Sequence, residues 1–318
     1  MDNRAPPSGG QASALDAGVA PRDHGAMATS ESNGMPHGHF ETRPLCPAFG
    51  AELVGVDLAE PIDDALYGRI RAAFLDHQLL LLRDQDLAPE CQVRLGRCFG
   101  EVQVHVMNQY HADGFPELYY LSNLDENGAP SGRHPDKGTL AWHTDGSWRR
   151  VTGQATFLYA VEVPSTGGET HFCDMYGAYE ALSEKMKQRL EGMRAVHNLD
   201  FSRNRRHAED PMTDEQKRAV PPVDHTIVRT HPETGRKCIF LGDHAESIVG
   251  LDYDEGRRFI EELNSLAVRP ELTYCHQWRP RDLVIWDNRC LMHRSTPYDA
   301  ARERRVMRRC TILGEVPR

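Results

Sequence analysis

Short strand-like runs, rather than long helical periods, limit how this chain can fold. Residues 51–58, 79–82, 118–121, 155–163, 170–172, 226–229, 238–241, 272–276, 282–286 and 304–313 are brief, rich in apolar residues and separated by turn-forming or charged segments. Helical spacing is confined to a few stretches. Asp63 or Asp64 caps a helix carrying Leu66, Ile70, Ala73 and Phe74, and Pro89 opens a second helix ending near Gly100. Residues 175–189 and 254–267 supply two more. Helices do not follow strands one for one, which argues against a doubly wound parallel sheet. The pattern predicts a mainly β fold with flanking helices, a β-sandwich or jelly roll.

The 318 residues, 39% of them hydrophobic, suffice for a sizeable core. Apolar runs such as 79–82 fall far short of the roughly 18 residues needed to cross a bilayer, so a soluble protein is expected. A net charge of −10 argues against non-specific nucleic-acid binding, and with it against a nucleic-acid demethylase. None of the eight cysteines forms a C-x-x-C pair, and the first residues lack the apolar core of a secretory signal. A cytoplasmic protein without disulfides is the expectation. Residues 1–38 are rich in Gly, Ala, Pro, Ser and His and read as a disordered tail ending near His37 and His39. Residues 39–318 read as one domain, with 201–223 as a polar excursion or lid.

His143-Thr144-Asp145 is the first chemical signal. On an extended strand, residues two apart share a face, so imidazole and carboxylate can grip one metal. A distant histidine would complete the two-histidine, one-carboxylate set that selects non-haem Fe(II). With 16 histidines and 47 acids such pairs arise by chance, and His111-Ala112-Asp113 and His134-Pro135-Asp136 match too. Context favours the first, because it sits between Trp142 and Trp148 after an apolar lead, whereas His111 and His134 lie in turn-like settings. His293, after the apolar 282–286 run, is the partner; read alone it is more often an ordinary core histidine.

Arg302, Arg304, Arg305, Arg308 and Arg309 crowd the final strand. Alternation puts Arg305, Met307 and Arg309 on one face and Arg304 and Arg308 on the other. An inward arginine there can hold a carboxylate through a bidentate fork.

Taken together, WHTDGSW, VPSTGGETHFCDMYGAYEAL, VRTHPETGRKCIFLGDHAESIVG, HQWRPRDLVIWDNRCLMHRSTPYD and RRVMRRCTILG resemble the taurine dioxygenase and 2,4-dichlorophenoxyacetate dioxygenase family, from about residue 42 to 316. The resemblance implies a double-stranded β-helix core and Fe(II) held by His143, Asp145 and His293. It also implies that 2-oxoglutarate and O2 are co-substrates and that succinate and CO2 are released. Thr170 and Arg305 would bind the distal carboxylate of 2-oxoglutarate, with Arg304 as the fallback because the loop after His293 is one residue longer than in the taurine enzyme. Arg309 would contact an anionic substrate, and His105 lies near a substrate-contacting position. Asp145 in the carboxylate position argues for hydroxylation over halogenation. Thr139 stands where the taurine enzyme has asparagine, and HPETGR and HQW lean toward aryloxyalkanoate dioxygenases. The substrate class implied is a small aryloxyalkanoate, sulfonate or related carboxylate, and the assembly implied is a dimer or tetramer. The rival readings are a zinc hydrolase and a non-catalytic jelly-roll protein with the same three residues.

Overall fold

The computed structural model describes residues 40–135, 137–206 and 211–318. The tail assigned to 1–38, with His37 and His39, lies outside the described residues, as do Asp136 and His207. Strand β1 (Glu41–Pro44) pairs antiparallel with β2 (Ala51–Val54), which ends at Gly55 in a left-handed conformation (φ 97°), short of the expected residue 58. Helix α1 (Asp64–His77) begins where the Asp63 carboxylate accepts from the Leu66 N–H at 2.7 Å, a cap that contributes about 1 kcal/mol, and it buries Ile70 and Phe74. Next comes β3 (Leu79–Leu82), then α2 (Pro89–Phe99), which starts on its proline and ends at Gly100. Every β3 side chain is buried, as an unbroken leucine run requires of an interior strand.

The middle of the chain holds β4 (His111–Ala112), β5 (Phe115–Ser122), β6 (Gly153–Glu162) and β7 (Thr170–Asp174). His111 is therefore a paired, part-buried strand residue rather than a turn residue, and its Nε2 lies 2.7 Å from the His105 carbonyl. The single helix expected over 175–189 is two, α3 (Met175–Glu180) and α4 (Glu184–Leu190), because Ser183 caps a fresh start by accepting from the Met186 N–H. Strand β8 (Arg194–His197) follows. The expected polar excursion contains α5 (Leu199–Arg206) and α6 (Asp214–Ala219), the latter held by a Thr213–Gln216 capping box. Then come β9 (Val223–Thr226), β10 (Val228–Thr230), β11 (Lys237–Ile239), β12 (Ala245–Ile248) and α7 (Tyr253–Ala267). The last strands are β13 (Thr273–His276), β14 (Leu283–Asp287), β15 (Leu291–Ser295) and β16 (Val306–Leu313).

Eight strands form one sheet in the order β1-β2-β3-β14-β6-β16-β5-β4, and β13-β7-β15 form a second of three. The large sheet is apolar on both faces. Leu80, Leu82, Phe157, Leu283 and Ile285 pack with Phe74 of α1 and Phe99 of α2. Leu79, Leu81, Leu158, Val284 and Trp286 belong to the other core, which includes Phe172 of the three-stranded sheet. The Phe172 and Trp286 rings meet edge to face at 5.3 Å, which locks the two sheets together. All eight cysteines are free thiols, and no helix among the described residues is long and apolar enough to cross a membrane.

Candidate active site

The site lies where the two sheets meet. The extended strand expected around His143 is absent; the residue sits at an isolated bridge to His293 of β15 followed by a turn, and each backbone N–H donates to the other's carbonyl at 2.9 Å. The turn depends on close backbone approach. Gly146 has φ +71°, and a Cβ on it would lie 2.7 Å from the Gly153 nitrogen. On the other side, a Cβ on Gly242 would lie 3.0 Å from the His143 Cα.

His143, Asp145 and His293 are buried, and one ligand atom from each falls within 4.8 Å of the others. His143 Nε2 lies 3.7 Å from Asp145 Oδ1, and His293 Nε2 lies 3.8 Å from Asp145 Oδ2. These are too long for hydrogen bonds. They suit two atoms held by one ion, which can be at most about 4.2 Å apart when each bond is about 2.1 Å. The His143 Nδ1–H donates to the Ala141 carbonyl at 2.9 Å, which leaves Nε2 as the ring nitrogen facing the carboxylate. Burial and the nearby His143 push the His293 imidazole well below its ordinary pKa, against the pull of Asp145. His293 is therefore neutral and able to ligate. Its ring sits 4.6 Å from Trp286 and 6.0 Å from Phe172, pinned between the sheets.

Asp145 is oriented by a chain that the sequence did not reveal. Trp286 Nε1 donates to Asn288 Oδ1 (2.9 Å), Asn288 Nδ2 to Thr156 Oγ1 (2.8 Å), and Thr156 Oγ1 to Asp145 Oδ2 (2.8 Å). Arg309 Nη1 donates to Oδ1 at 3.2 Å. Burial works against the carboxylate, but the Arg309 guanidinium above all, with the Thr156 bond, outweighs it and holds the pKa well below the carboxylate range. The group is an anion at neutral pH, as a ligand to a cation must be.

His143 and Asp145 line a cavity whose walls include Met107, Tyr119 and Trp148 together with Leu199, Ser202 and Arg203 of α5. Arg309 and His105 line it with His143 and Asp145. The Arg309 guanidinium lies over the Tyr119 ring at 4.6 Å, and His105 meets Tyr119 and Trp148 edge-on. The 201–223 excursion thus contributes pocket wall through α5. With only Leu199 and Phe201 as apolar anchors in eight residues, its sequence did not announce a helix.

Thr170 and Arg305 do not line this cavity. Both are buried. Thr170 pairs with Ser295 on the strand that carries His293, and the Ser295 hydroxyl lies 2.9 Å from that of the cavity residue Thr139. Arg305 packs against Gly168, two residues before Thr170, where a Cβ would come within 3.2 Å of its Nε. That Nε has no partner, and burial pulls the guanidinium down to about 10. The strand expected from residue 304 begins at Val306, but the alternation holds. Arg304 points outward to an ion pair with Glu162 at 2.5 Å, and Arg308 is buried on the α2 side, donating to Gln92 at 2.6 Å. The fallback, Arg304, is thus an exposed residue already ion-paired, whereas Arg305 is buried.

The chain matches the family described as "Taurine catabolism dioxygenase TauD, TfdA family" over residues 41–311. It is 36% identical to the (S)-phenoxypropionate/alpha-ketoglutarate-dioxygenase of Sphingobium herbicidovorans, over 87% of this chain and 96% of that protein. It is likewise 36% identical to the alpha-ketoglutarate-dependent 2,4-dichlorophenoxyacetate dioxygenase of Cupriavidus pinatubonensis, over 86% and 97%. Among solved structures, AAD-2 in complex with Mn(II) and N-oxalylglycine superimposes with a TM-score of 0.78 at 34% identity, covering 88% of this chain and 98% of that one. None of these relatives supports the zinc-hydrolase or non-catalytic readings. The chain belongs to the TauD, TfdA family and is a 2-oxoglutarate-dependent non-haem iron dioxygenase, working with Fe(II), 2-oxoglutarate and O2.

Proposed function

We propose that this enzyme hydroxylates a small aryloxyalkanoate at the carbon beside the ether oxygen. The hemiacetal so formed collapses to a phenol and a 2-oxo acid. The observation that carries the reading is the cavity itself, where Met107, Tyr119, Trp148 and Leu199 share the lining with two arginines, Arg203 and Arg309, of which Arg309 is bonded to Asp145 and so lies nearest the His143 and Asp145 centre. A substrate with an aromatic body and one carboxylate matches that division. The two 36%-identical relatives, named for phenoxypropionate and dichlorophenoxyacetate, support it.

His143, Asp145 and His293 would hold Fe(II) through two imidazole nitrogens and one carboxylate oxygen. When bound, Fe(II) and 2-oxoglutarate supply O2 activation, with decarboxylation to succinate and CO2. The protein's share is positioning. Thr156 and Arg309 hold the Asp145 oxygens, and Ala141 fixes the tautomer of His143. Tyr119 and Trp148 exclude water above them. Arg305 and Thr170 would bind the distal carboxylate of 2-oxoglutarate; a buried guanidinium with an unpaired Nε calls for such an anion. Arg309 would bind the substrate carboxylate, and His105, wedged between Tyr119 and Trp148, would shape the aromatic end. The two facing sheets are read as the walls of a double-stranded β-helix and residues 39–318 as one catalytic domain, in a cytoplasmic dimer or tetramer whose free thiols suit a reducing compartment.

The test starts from metal-free protein kept anaerobic. Fe(II) followed by 2-oxoglutarate should produce a weak visible charge-transfer band that needs both additions. Aryloxyalkanoates should then stimulate succinate release when O2 is admitted. Arg309→Met should keep the band and raise KM for the aryloxy acid more than about tenfold. A band without stimulation by any aryloxy acid would defeat the substrate assignment and leave sulfonates and sulfate esters to be screened.

A further inference from the structure

We infer that Trp278 is a positioning residue for the co-substrate, acting through Thr170. The inference rests on Thr170 and Arg305 as the distal-carboxylate site. Trp278, just beyond the end of β13, donates its indole Nε1–H to Thr170 Oγ1 at 2.9 Å. A threonine hydroxyl can donate or accept, so on its own it tolerates either a carboxylate or a neutral amide. The indole N–H only donates. By occupying the acceptor side of Thr170, it turns the hydroxyl proton away from itself.

Thr170 is buried, and no acceptor takes that proton among the described residues. Arg305 Nε, packed against Gly168 two residues before Thr170, is a second buried donor without an acceptor. Two unsatisfied buried donors at this one short stretch of chain suit an anion. Trp278 makes the site donor-only, which favours a carboxylate over its amide or over no group at all.

Trp278 is itself held firmly. Its ring stands edge-on to His276, with centroids 4.5 Å apart. His276 Nε2 donates to Asp282 at 3.1 Å, and Tyr274 Oη donates to His276 Nδ1 at 3.2 Å. Asp282 also accepts from both Arg83 Nη1 (3.0 Å) and the Arg279 N–H (2.9 Å). The indole is thus anchored from the surface inward, and its N–H ends at Thr170.

The experiment measures anaerobic binding of 2-oxoglutarate, and of 2-oxobutyrate, which lacks the distal carboxylate, to the Fe(II)-loaded full chain by calorimetry. Trp278→Phe keeps an aromatic ring and removes the N–H. It should weaken 2-oxoglutarate about fivefold, the size of one hydrogen bond, and leave 2-oxobutyrate unchanged. In turnover, KM for 2-oxoglutarate should rise with kcat preserved. Whether Trp278 acts through Thr170 is read in a Thr170→Val background: there Trp278→Phe should add no further loss of 2-oxoglutarate affinity, and a further loss would overturn the inference. Equal weakening of both ligands by Trp278→Phe, or no weakening, overturns the inference. If wild type discriminates the two ligands but Trp278→Phe does so equally well, only Trp278's role falls. If wild type itself does not prefer 2-oxoglutarate, the Thr170–Arg305 assignment falls with it.

Discussion

Among the described residues, two buried clusters carry metal-ligand residues at metal-ligand spacing. One is His143, Asp145 and His293; the other is His231, Asp287 and Cys290. Burial does not tell them apart; hydrogen bonding does. His231 Nδ1 accepts from the backbone N–H groups of Glu233 (3.2 Å) and Thr234 (3.1 Å), so its proton sits on Nε2 and is donated to Asp287 Oδ2 at 3.1 Å. Arg289 closes on both oxygens of Asp287, at 2.8 and 2.6 Å, and reaches Glu233 at 2.6 Å. Burial pushes the Cys290 thiol well above its ordinary pKa, with Asp287 adding to the effect, so it keeps its proton. No lone pair remains for an ion. In the first cluster the tautomer is reversed, because His143 gives its Nδ1 proton to Ala141 and turns Nε2 toward Asp145. Donors set the role: a carboxylate matched by a forked guanidinium is structural, and one matched by a hydroxyl and a single guanidinium nitrogen keeps room for a cation.

The sharpest way to break this contrast is to count iron. His143→Ala should abolish stoichiometric Fe(II) binding, whereas His231→Ala should retain one ion per folded chain; a drop to zero in the second variant would erase the distinction. The next effect concerns stability. Asp287→Ala strands the buried Arg289 charge and should cost about 3–5 kcal/mol in a denaturant titration. Burial acts to raise the Asp287 pKa, but Arg289 and His231 more than offset it and hold the folded value well below the carboxylate range. Its stabilisation is therefore fully present above the unfolded pKa of about 3.9 and is lost as pH falls toward the folded value. The wild-type acid limb should be steeper than that of the variant, and matching slopes would show that the pair is not coupled to folding. The smallest effect sharpens the active-site half. Thr156→Val removes the hydroxyl that orients Asp145 and should weaken Fe(II) about 10–100-fold with little change in melting temperature; unchanged affinity would make that chain ornamental.

Much of this architecture could be read locally. The Asp63 cap, the Pro89 start, the leucine run of β3 and the alternation across β16 each depend on residues within a few positions of one another. The same alternation already separated Arg305 and Arg309 from Arg304. Other elements escaped because their signal is weak or shared. The break between α3 and α4 rests on one serine cap, β15 is too short and too mixed to declare itself, and α5 carries few apolar residues.

The motifs WHTDGSW and DNRCLMH were enough to nominate the ligands and, through family resemblance, the chemistry. Folding alone brought His143 beside His293 through two backbone bonds and ran Trp286, Asn288 and Thr156 in series to Asp145. It also gave two His–Asp pairs opposite tautomers. The reason is physical: a side chain's proton goes to whichever acceptor lies nearest, and at these sites that neighbour is chosen by strand register across the molecule as much as by adjacency along the chain.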